Sequence, residues 1–262
     1  MSGQGISFDD GEAYERFMGR WSRLAGEVFL DWLAPAPGLR WVDIGCGNGA
    51  FTELLFERAG AAHVDGVDPS AGQLAFASER LQGRPVTLQR GSATALPFAD
   101  ATFDAAAMAL VIFFVPTPED GVAEMVRVTR PGGIVAAYAW DMPGGGFPLE
   151  PARDALRQAG IEPLAPPRAD VAAMPALRGL WTEAGLEAVT TRTIEVEREF
   201  ADFAEWWSSC RGAASLAAAL DQLPPAEAAR LQDGLRERLR PDADGRIRYP
   251  ARANAIAGVR PR

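Results

Sequence analysis

A glycine-rich turn between a strand and a helix is the feature that most constrains this chain. Residues 40–44 (RWVDI) predict a strand, residues 45–49 (GCGNG) a tight turn and residues 51–59 a helix. Glycine adopts backbone conformations that other residues avoid, and without a Cβ it lets a ligand approach the main chain closely. The free amides at the start of the helix favour an electronegative group on that ligand. Taken alone, the pattern also fits a plain strand-to-helix turn.

Strands and helices alternate through the first half of the chain. Further strands are predicted at residues 64–67, 86–89, 103–110 and 133–140, with helices at 70–81 and from Thr117 up to Pro131. The fourth of these five strands is apolar after Asp104, which is typical of a strand buried on both faces. The alternation predicts an α/β fold with a mostly parallel sheet and helices on both faces. In such sheets ligands bind beyond the carboxyl ends of the strands, beside the first strand.

The two ends of the chain follow other patterns. Residues 14–33 predict a helix with Gly19 in its middle. After Trp140, residues 142–151 predict a loop, residues 171–184, 200–210 and 225–239 helices, residues 188–196 a strand, and residues 246–259 a last, edge strand.

Composition excludes several classes of protein. The 262 residues carry a net charge of −9, so the surface repels phosphate backbones and nucleic acid is not an expected partner. The longest apolar run is 11 residues, 105–115, well short of the roughly 20 that a membrane span needs. The first residues lack a signal-peptide pattern, so we expect a cytoplasmic protein. With two cysteines and one histidine, no disulfide framework, metal site or Ser-His-Asp triad is predicted.

Two acidic residues accompany the turn. Asp43 lies in the strand just before it, and Asp68 ends the second strand, 19 residues after Gly49. At that position an acidic side chain can accept hydrogen bonds from ribose hydroxyls, although Asp68 alone also fits a charge near a helix N-terminus.

Four segments in this order resemble one known family. They are residues 42–49 (VDIGCGNG), 66–70 (GVDPS), 96–98 (LPF) and 127–133 (RVTRPGG). They resemble class I S-adenosylmethionine-dependent methyltransferases, and most closely the type 11, ubiquinone/menaquinone-biosynthesis-like group. The resemblance extends over about residues 14–140. It implies a Rossmann-like seven-stranded sheet with an antiparallel last strand, S-adenosylmethionine as cofactor and S-adenosylhomocysteine as product.

The resemblance also implies roles for individual residues. Asp43 would orient the amino group of the cofactor, and Asp68 would hold its ribose hydroxyls. The other predicted binding residues are Gly45, Cys46, Gly47 and Gly49 at the methionine end, Pro69, Ser70, Gly91, Ser92 and Ala93 around the adenine, and Ala109 and Leu110 beside the methionine. Cys46 is expected only to fill space, because no base that would activate its thiol is evident.

Two aromatic segments have alternative interpretations. Tyr14 would cover the cofactor and Arg20 would meet its carboxylate, or else Tyr14 and Trp21 are core residues of an amphipathic helix. A second group of aromatic residues would form a lid over an apolar acceptor or pack the 200–210 helix on the sheet; these are Phe200, Phe203, Trp206 and Trp207. We therefore predict an N-terminal helical lid (1–38), a cofactor-binding core (39–141) and a region with a small helical cap and the completing strands (142–262).

The chain departs from the family where a base is often found. Phe113 and Phe114 follow the fourth strand, where several relatives carry histidine, and Ser92 stands where many carry Asp or Glu. The one histidine, His63, should lie at the far edge of the sheet. No catalytic residue is assigned; a proton from the acceptor would pass to Asp141, Glu150 or water.

The predicted function is methyl transfer to a small organic acceptor by direct in-line displacement. No (D/N)PP(Y/F) sequence follows the fourth strand, which disfavours methylation of adenine bases or glutamine. One alternative is a non-catalytic module that binds S-adenosylmethionine. The other is a nicotinamide-dependent oxidoreductase, although no second βαβ half is evident after Trp140.

Overall fold

The computed structural model describes residues 18–262, without the side chains of residues 214 and 215. The strands are β1 Arg40–Ile44, β2 His63–Asp68, β3 Val86–Arg90, β4 Phe103–Ala109, β5 Thr129–Trp140, β6 Glu187–Phe200 and β7 Ile247–Val259. The helices are α1 Arg20–Leu33, α2 Ala50–Arg58, α3 Ala71–Arg80, α4 Pro118–Val128, α5 Glu150–Gln158, α6 Met174–Glu183, α7 Phe203–Gly212, α8 Ala214–Leu220 and α9 Pro225–Arg238. Two short 3-10 helices are Ile112–Phe114 and Ala169–Ala172.

The seven strands form one sheet in the order β3-β2-β1-β4-β5-β7-β6. Strands β1 to β5 pair in parallel, whereas β7 pairs antiparallel with both β5 and β6. The predicted α/β fold, with one antiparallel strand in an otherwise parallel sheet, is therefore confirmed. The order reverses beside β1, which pairs with β2 on one side and β4 on the other. We call the edge where β1 to β5 end the carboxyl rim.

The prediction that the last strand lies at the edge of the sheet is wrong. Strand β7 lies between β5 and β6, and β6 is the edge strand. Nine consecutive positions of β7, from Ala251 to Val259, are buried or half-buried, as expected of a strand in the interior of a sheet that is covered on both faces. In β6, buried positions alternate with exposed ones from Ile194 onward, as expected of a strand with one solvated face.

Two predicted elements after Trp140 also differ from the structure. The predicted loop at 142–151 overlaps the start of helix α5, a short and mostly polar helix whose buried face includes the charged residues Glu150 and Arg153. The helix predicted over 200–210 begins later because β6 continues to Phe200. Helix α7 then begins after Asp202, whose side chain accepts a hydrogen bond from the Glu205 amide and caps the helix.

Helix α1 packs closely on α2 and β5. The rings of Phe29 and Tyr138 lie 4.7 Å apart, and each lies within about 6 Å of the Phe51 ring. Gly26 allows this approach, because a Cβ there would lie 2.7 Å from Leu54 Cδ1. The start of α1 reaches β6, where the Trp21 ring lies 6.3 Å from that of Phe200. The first residues of the predicted helix, 14–17, lie outside the described residues.

Strands β6 and β7 continue together beyond the end of β5. Trp140 of β5 pairs with Ala253, which also pairs with Ile194, and the β6–β7 pairing then continues to Phe200 and Ile247. This extension, residues 195–200 with 247–252, is the β6–β7 ribbon, and it rises about 20 Å above the rim at roughly 3.3 Å per residue. Helices α7 to α9 are inserted between its two strands. Among the described residues, no helix combines the length and apolar composition needed to cross a membrane.

We predict that Gly26→Val lowers the free energy of unfolding by about 1–3 kcal/mol, because a larger side chain separates α1 from α2. Gly179→Val in α6 is the matched control, since no atom lies within 4 Å of its Cβ position. That variant should keep or slightly raise the stability, because valine favours helix over glycine. Urea unfolding measures both, and equal effects would contradict the proposed close contact.

Candidate functional site

Neighbouring backbone groups hold residues 45–49, which we call the glycine turn, in place. The amides of Gly45 and Cys46 both donate to the Val67 carbonyl of β2, at 2.7 and 3.1 Å. The three glycines of the turn have positive φ: +73° at Gly45, +53° at Gly47 and +80° at Gly49. These conformations are costly for residues with a Cβ, which explains the glycines. The turn therefore lies beside the end of β2.

The carboxylate of Asp68 joins the glycine turn to the loop after β2. Its Oδ2 accepts a hydrogen bond from the Gly47 amide at 2.9 Å, and its Oδ1 accepts one from the Ser70 amide at 2.8 Å. Burial raises the pKa of Asp68, and these two hydrogen bonds oppose that effect. Each oxygen keeps a second lone pair that can accept a ligand donor. The helix start predicted at Ser70 is confirmed, since its hydroxyl accepts from the Gln73 amide.

Asp43 is a buried carboxylate at the end of β1. Its Oδ2 accepts a hydrogen bond from the Thr52 hydroxyl at 2.6 Å, while its Oδ1 is buried without any hydrogen-bond partner. Burial raises the pKa of Asp43 to about 7; the nearby charge of Asp68 adds to the rise and Thr52 opposes it. Buried polar atoms are rarely left unpaired, so Oδ1 is an acceptor that matches a donor supplied by a ligand. The sequence did not predict Thr52, although it is a polar residue in an apolar helical stretch.

The glycines of the turn serve different purposes. A Cβ at Gly45 would lie 2.5 Å from a methyl group of Val111, and one at Gly49 would lie 2.9 Å from Leu81 Cδ1. Both positions are therefore closed by protein packing. A Cβ at Gly47 would meet no atom closer than 3.9 Å, so this backbone faces open space. Gly47 is the position at which a ligand could lie directly against the main chain.

Cys46 packs inside the turn. Its Sγ lies 3.0 Å from the position that a Cβ on Gly66 would occupy, so Gly66 makes room for it. Burial, with the charges of Asp43 and Asp68, raises the pKa of the Cys46 thiol. The group therefore stays protonated and unreactive, which favours the predicted space-filling role.

The loops that follow β3 and β4 begin at the carboxyl rim. The Gly91 amide donates to the Asp68 carbonyl at 3.2 Å, which fixes the start of the loop that carries Ser92 and Ala93. The Ser92 hydroxyl lies 3.0 Å from the Thr94 hydroxyl and accepts from the Thr94 amide.

At the end of β4, Ala109 is half-buried, and Leu110 has a φ of +63° with its amide donating to the Tyr138 carbonyl. Pro69 is exposed beside Asp68.

Other predicted residues lie elsewhere. Tyr14 lies outside the described residues, and Arg20 is exposed at the start of α1. As the sequence predicted, His63 lies at the opposite end of β2 from Asp68. Its Nε2 is 3.4 Å from the Asp65 carboxylate. Phe113 and Phe114 contact each other edge to face in the 3-10 helix after β4.

The two acids considered as proton acceptors have structural partners. Asp141 accepts from the Gly144 amide at 3.0 Å through Oδ1 and from Arg252 Nε at 2.9 Å through Oδ2. Glu150 is buried and pairs with Arg157 at 2.8 Å. Both carboxylates therefore have partners within the fold, although Oε2 of Glu150 is buried without a hydrogen bond.

Residues 96–98 and 127–133, two of the segments that carry the family resemblance, are joined by hydrogen bonds. The Arg127 guanidinium donates to the carbonyls of Phe98 at 2.7 Å and Leu96 at 3.1 Å. It also pairs with Glu124 at 2.6 Å, and the Glu124 carboxylate accepts from the Leu96 amide. These residues therefore order the loop before β4 rather than touching the glycine turn.

A separate groove lies between α5 and α9. Its volume is about 420 Å³, and Leu231, Leu235, Arg230 and Arg238 form its α9 side. None of its lining residues belongs to the glycine turn or to the carboxyl rim.

Comparison with known proteins identifies the rim region. The family model described as "Methyltransferase domain" matches residues 42–137, from β1 into β5. We call this matched segment, residues 42–137, the methyltransferase domain. It contains Asp43, the glycine turn, Asp68 and the loops after β3 and β4, and it ends before the β6–β7 ribbon.

Relatives of the methyltransferase domain match over the same part of the chain. The ubiquinone/menaquinone biosynthesis C-methyltransferase of Roseobacter denitrificans is 36% identical over 115 residues, which are 42% of this chain and 46% of that protein. The demethylmenaquinone methyltransferase of Desulfitobacterium hafniense is 39% identical over 106 residues, 38% of this chain and 42% of that protein. The match thus spans less than half the length of either relative.

The fold likeness extends further than the sequence likeness. The structure of phosphoethanolamine N-methyltransferase 2 from Haemonchus contortus in complex with S-adenosyl-L-methionine superposes with a TM-score of 0.59 and 19% identity. The superposition covers 99% of this chain and 61% of that one, so the strands beyond the methyltransferase domain share the arrangement.

We predict that Asp43→Asn stabilises the ligand-free protein at high pH. The pKa of Asp43 rises from 3.8 to about 7 on folding, so the folded state holds an extra proton and loses stability as pH rises between these values. Above pH 7 the cost is on the order of 4 kcal/mol, and Asn removes it. Thermal unfolding at about pH 8 and about pH 4.5 should show a gain only at the higher pH.

Asp65→Asn is the control for this prediction, because Asp65 is buried in β2 but pairs with Arg40 at 3.0 Å. It should bring no such gain. An Asp43→Asn variant less stable than the wild type at both pH values would show that Oδ1 is not an unsatisfied acceptor.

Proposed function

We propose that this protein is an S-adenosylmethionine-dependent methyltransferase that transfers a methyl group to a small organic acceptor by direct in-line displacement. The observation that carries the proposal is the buried, unpartnered Oδ1 of Asp43 at the end of β1, next to a glycine turn that is open at Gly47. The methyltransferase domain and its relatives support the reaction class.

The residues present fit the cofactor. Asp43 Oδ1 would accept a hydrogen bond from the amino group, and next to that positive charge the Asp43 carboxylate would be held in its ionised form. Gly47 lets the cofactor lie against the backbone. Asp68, already fixed by two amides, accepts from the ribose hydroxyls with its remaining lone pairs. The predicted adenine contacts are Pro69, Ser70 and the loop of Gly91, Ser92 and Ala93, and the predicted methionine contacts are Gly45, Gly49, Ala109 and Leu110.

Alignment is the main contribution of the protein to this reaction. When bound, S-adenosylmethionine supplies a methyl group already activated by its positively charged sulfur. The rim residues fix the direction of attack, and such orientation lowers a barrier by roughly 7–11 kcal/mol. No general base is assigned, because Asp141 and Glu150 are engaged in the fold.

Neither alternative function is favoured by a specific observation. A dinucleotide fold needs a second parallel half, whereas here the strands after β5 are an antiparallel pair in the described residues. A non-catalytic binding module would share the whole site, so only activity separates it from an enzyme.

We expect Asp68→Ala to weaken S-adenosylhomocysteine binding by about 1–3 kcal/mol, because ligand hydroxyls and the Gly47 amide lose their acceptor. Asp65→Ala, which removes a buried acid from the other end of the same strand, should keep the wild-type affinity. Isothermal titration calorimetry measures the S-adenosylhomocysteine affinity of the wild type, Asp68→Ala and Asp65→Ala. Wild-type protein that binds NADH instead would contradict the proposal, and unchanged affinity in Asp68→Ala would contradict the ribose role.

Methyl transfer itself is tested with a tritiated methyl donor and fractionated metabolite extracts. We expect label in a small-molecule fraction, and Gly47→Val should abolish the transfer because its side chain fills the open space at the turn. Tight cofactor binding without transfer to any fraction would favour the non-catalytic module.

A further inference from the structure

Arg198 is a buried cation on the β6–β7 ribbon with too few partners. The residue is 6% exposed, and its Nε and Nη1 are buried without a hydrogen-bond partner. Its Nη2 lies 3.4 Å from Glu205 Oε1, which is a long contact for a charged pair. The guanidinium also lies 4.4 Å from the centre of the Phe200 ring.

Beyond Glu205 and the Phe200 ring, a second positive charge and an unpartnered donor lie near Arg198. Burial, and after it the positive charge of Arg20, lowers the pKa of the Arg198 guanidinium, and Glu205 opposes this. The indole N–H of Trp21, whose ring contacts Phe200, is also buried without a partner. A buried cation with unsatisfied donors is destabilising unless an acceptor completes it.

The position of Arg198 connects it with the proposed active site. Ile194 lies level with Trp140 at the end of β5, so Arg198 lies four residues, about 13 Å, above the carboxyl rim. Helix α1 reaches this point with Trp21 while packing on α2, the helix that follows the glycine turn. Strand β6 is two strand spacings, about 10 Å, from β5. A ligand group at Arg198 is therefore remote from the atom that would be methylated.

We propose that Arg198, assisted by Arg20, binds an oxyanion of the methyl acceptor, a carboxylate or a phosphate. This inference rests on the proposed function and adds that the acceptor is an elongated anion. The oxyanion replaces the Glu205 carboxylate, whose side chain is 39% exposed and whose other oxygen accepts from the Ala201 amide at 2.7 Å. Because Nε and Nη1 are closed to solvent, α7, which carries Glu205, moves aside when the anion enters.

Two aromatic anions, benzoate and phenyl phosphate, test this site, with benzyl alcohol as the uncharged probe. Calorimetry is done on the full chain with and without S-adenosylhomocysteine. We expect saturable binding of at least one anion and none of the alcohol, and the tighter anion identifies the group. Arg198→Met should weaken anion binding at least tenfold, whereas Glu205→Gln should strengthen it several-fold by removing the competing carboxylate.

Arg192→Met, on the same strand but exposed, is the matched control and should bind the anions as the wild type does. All variants should keep their S-adenosylhomocysteine affinity, so a failure of the proposed function and a failure of the anion site are separate results. Arg198→Met should also raise the melting temperature of the ligand-free protein, because an unsatisfied buried charge is removed. No saturable anion binding to the wild type, equal binding by Arg198→Met, or a fall in its melting temperature would overturn the proposal.

Discussion

The hydrogen bonds of Asp68 are the constraint on which the rest of the site depends. One carboxylate oxygen holds the Gly47 amide and the other holds the Ser70 amide, so two loops from neighbouring strands share one anchor. With the amides of Gly45 and Cys46 fixed on the Val67 carbonyl, the glycine turn has no freedom to close over the space at Gly47. For the proposed cofactor, such a fixed, open backbone beside a buried acid would be a preorganised surface, which lowers the entropic cost of association.

Among the buried ionisable groups of the described structure that keep atoms without a hydrogen-bond partner, two of opposite sign concern the proposed site. Asp43 lacks a donor at Oδ1, and Arg198 lacks acceptors at Nε and Nη1. They lie on different strands, β1 and β6, with β4, β5 and β7 between them. Each costs stability in the ligand-free protein, as strained functional groups commonly do. The proposed site would therefore bind a positive group near Asp43 and a negative group near Arg198.

The sequence predicted the methyltransferase core better than the second half of the chain. Residues 40–140 alternate in strongly periodic or wholly apolar segments with clear turn residues, so the mostly parallel sheet and the positions of Asp43 and Asp68 followed from general rules. The place of β7 in the sheet could not be predicted, because the sequence pattern of an alanine-rich strand is the same at the edge of a sheet and in its interior. Arg198 was missed because alternating charged and apolar residues in β6 give no sign of which arginine is buried.

The insertion of α7, α8 and α9 between β6 and β7 separates two parts of the molecule. The residues proposed to bind the nucleoside all precede Thr129, whereas Arg198, Glu205 and the inserted helices come after Trp140. Because α7, α8 and α9 follow β1, β2 and β4 in the chain and are inserted between β6 and β7, we expect substitutions or length changes in these helices to leave the register of β1, β2 and β4 unchanged. If the proposed sites are right, the acceptor can change in evolution without any change in the proposed cofactor site, and the same change can be made in the laboratory by exchanging the β6–β7 ribbon with its inserted helices, residues 195–252, between homologues.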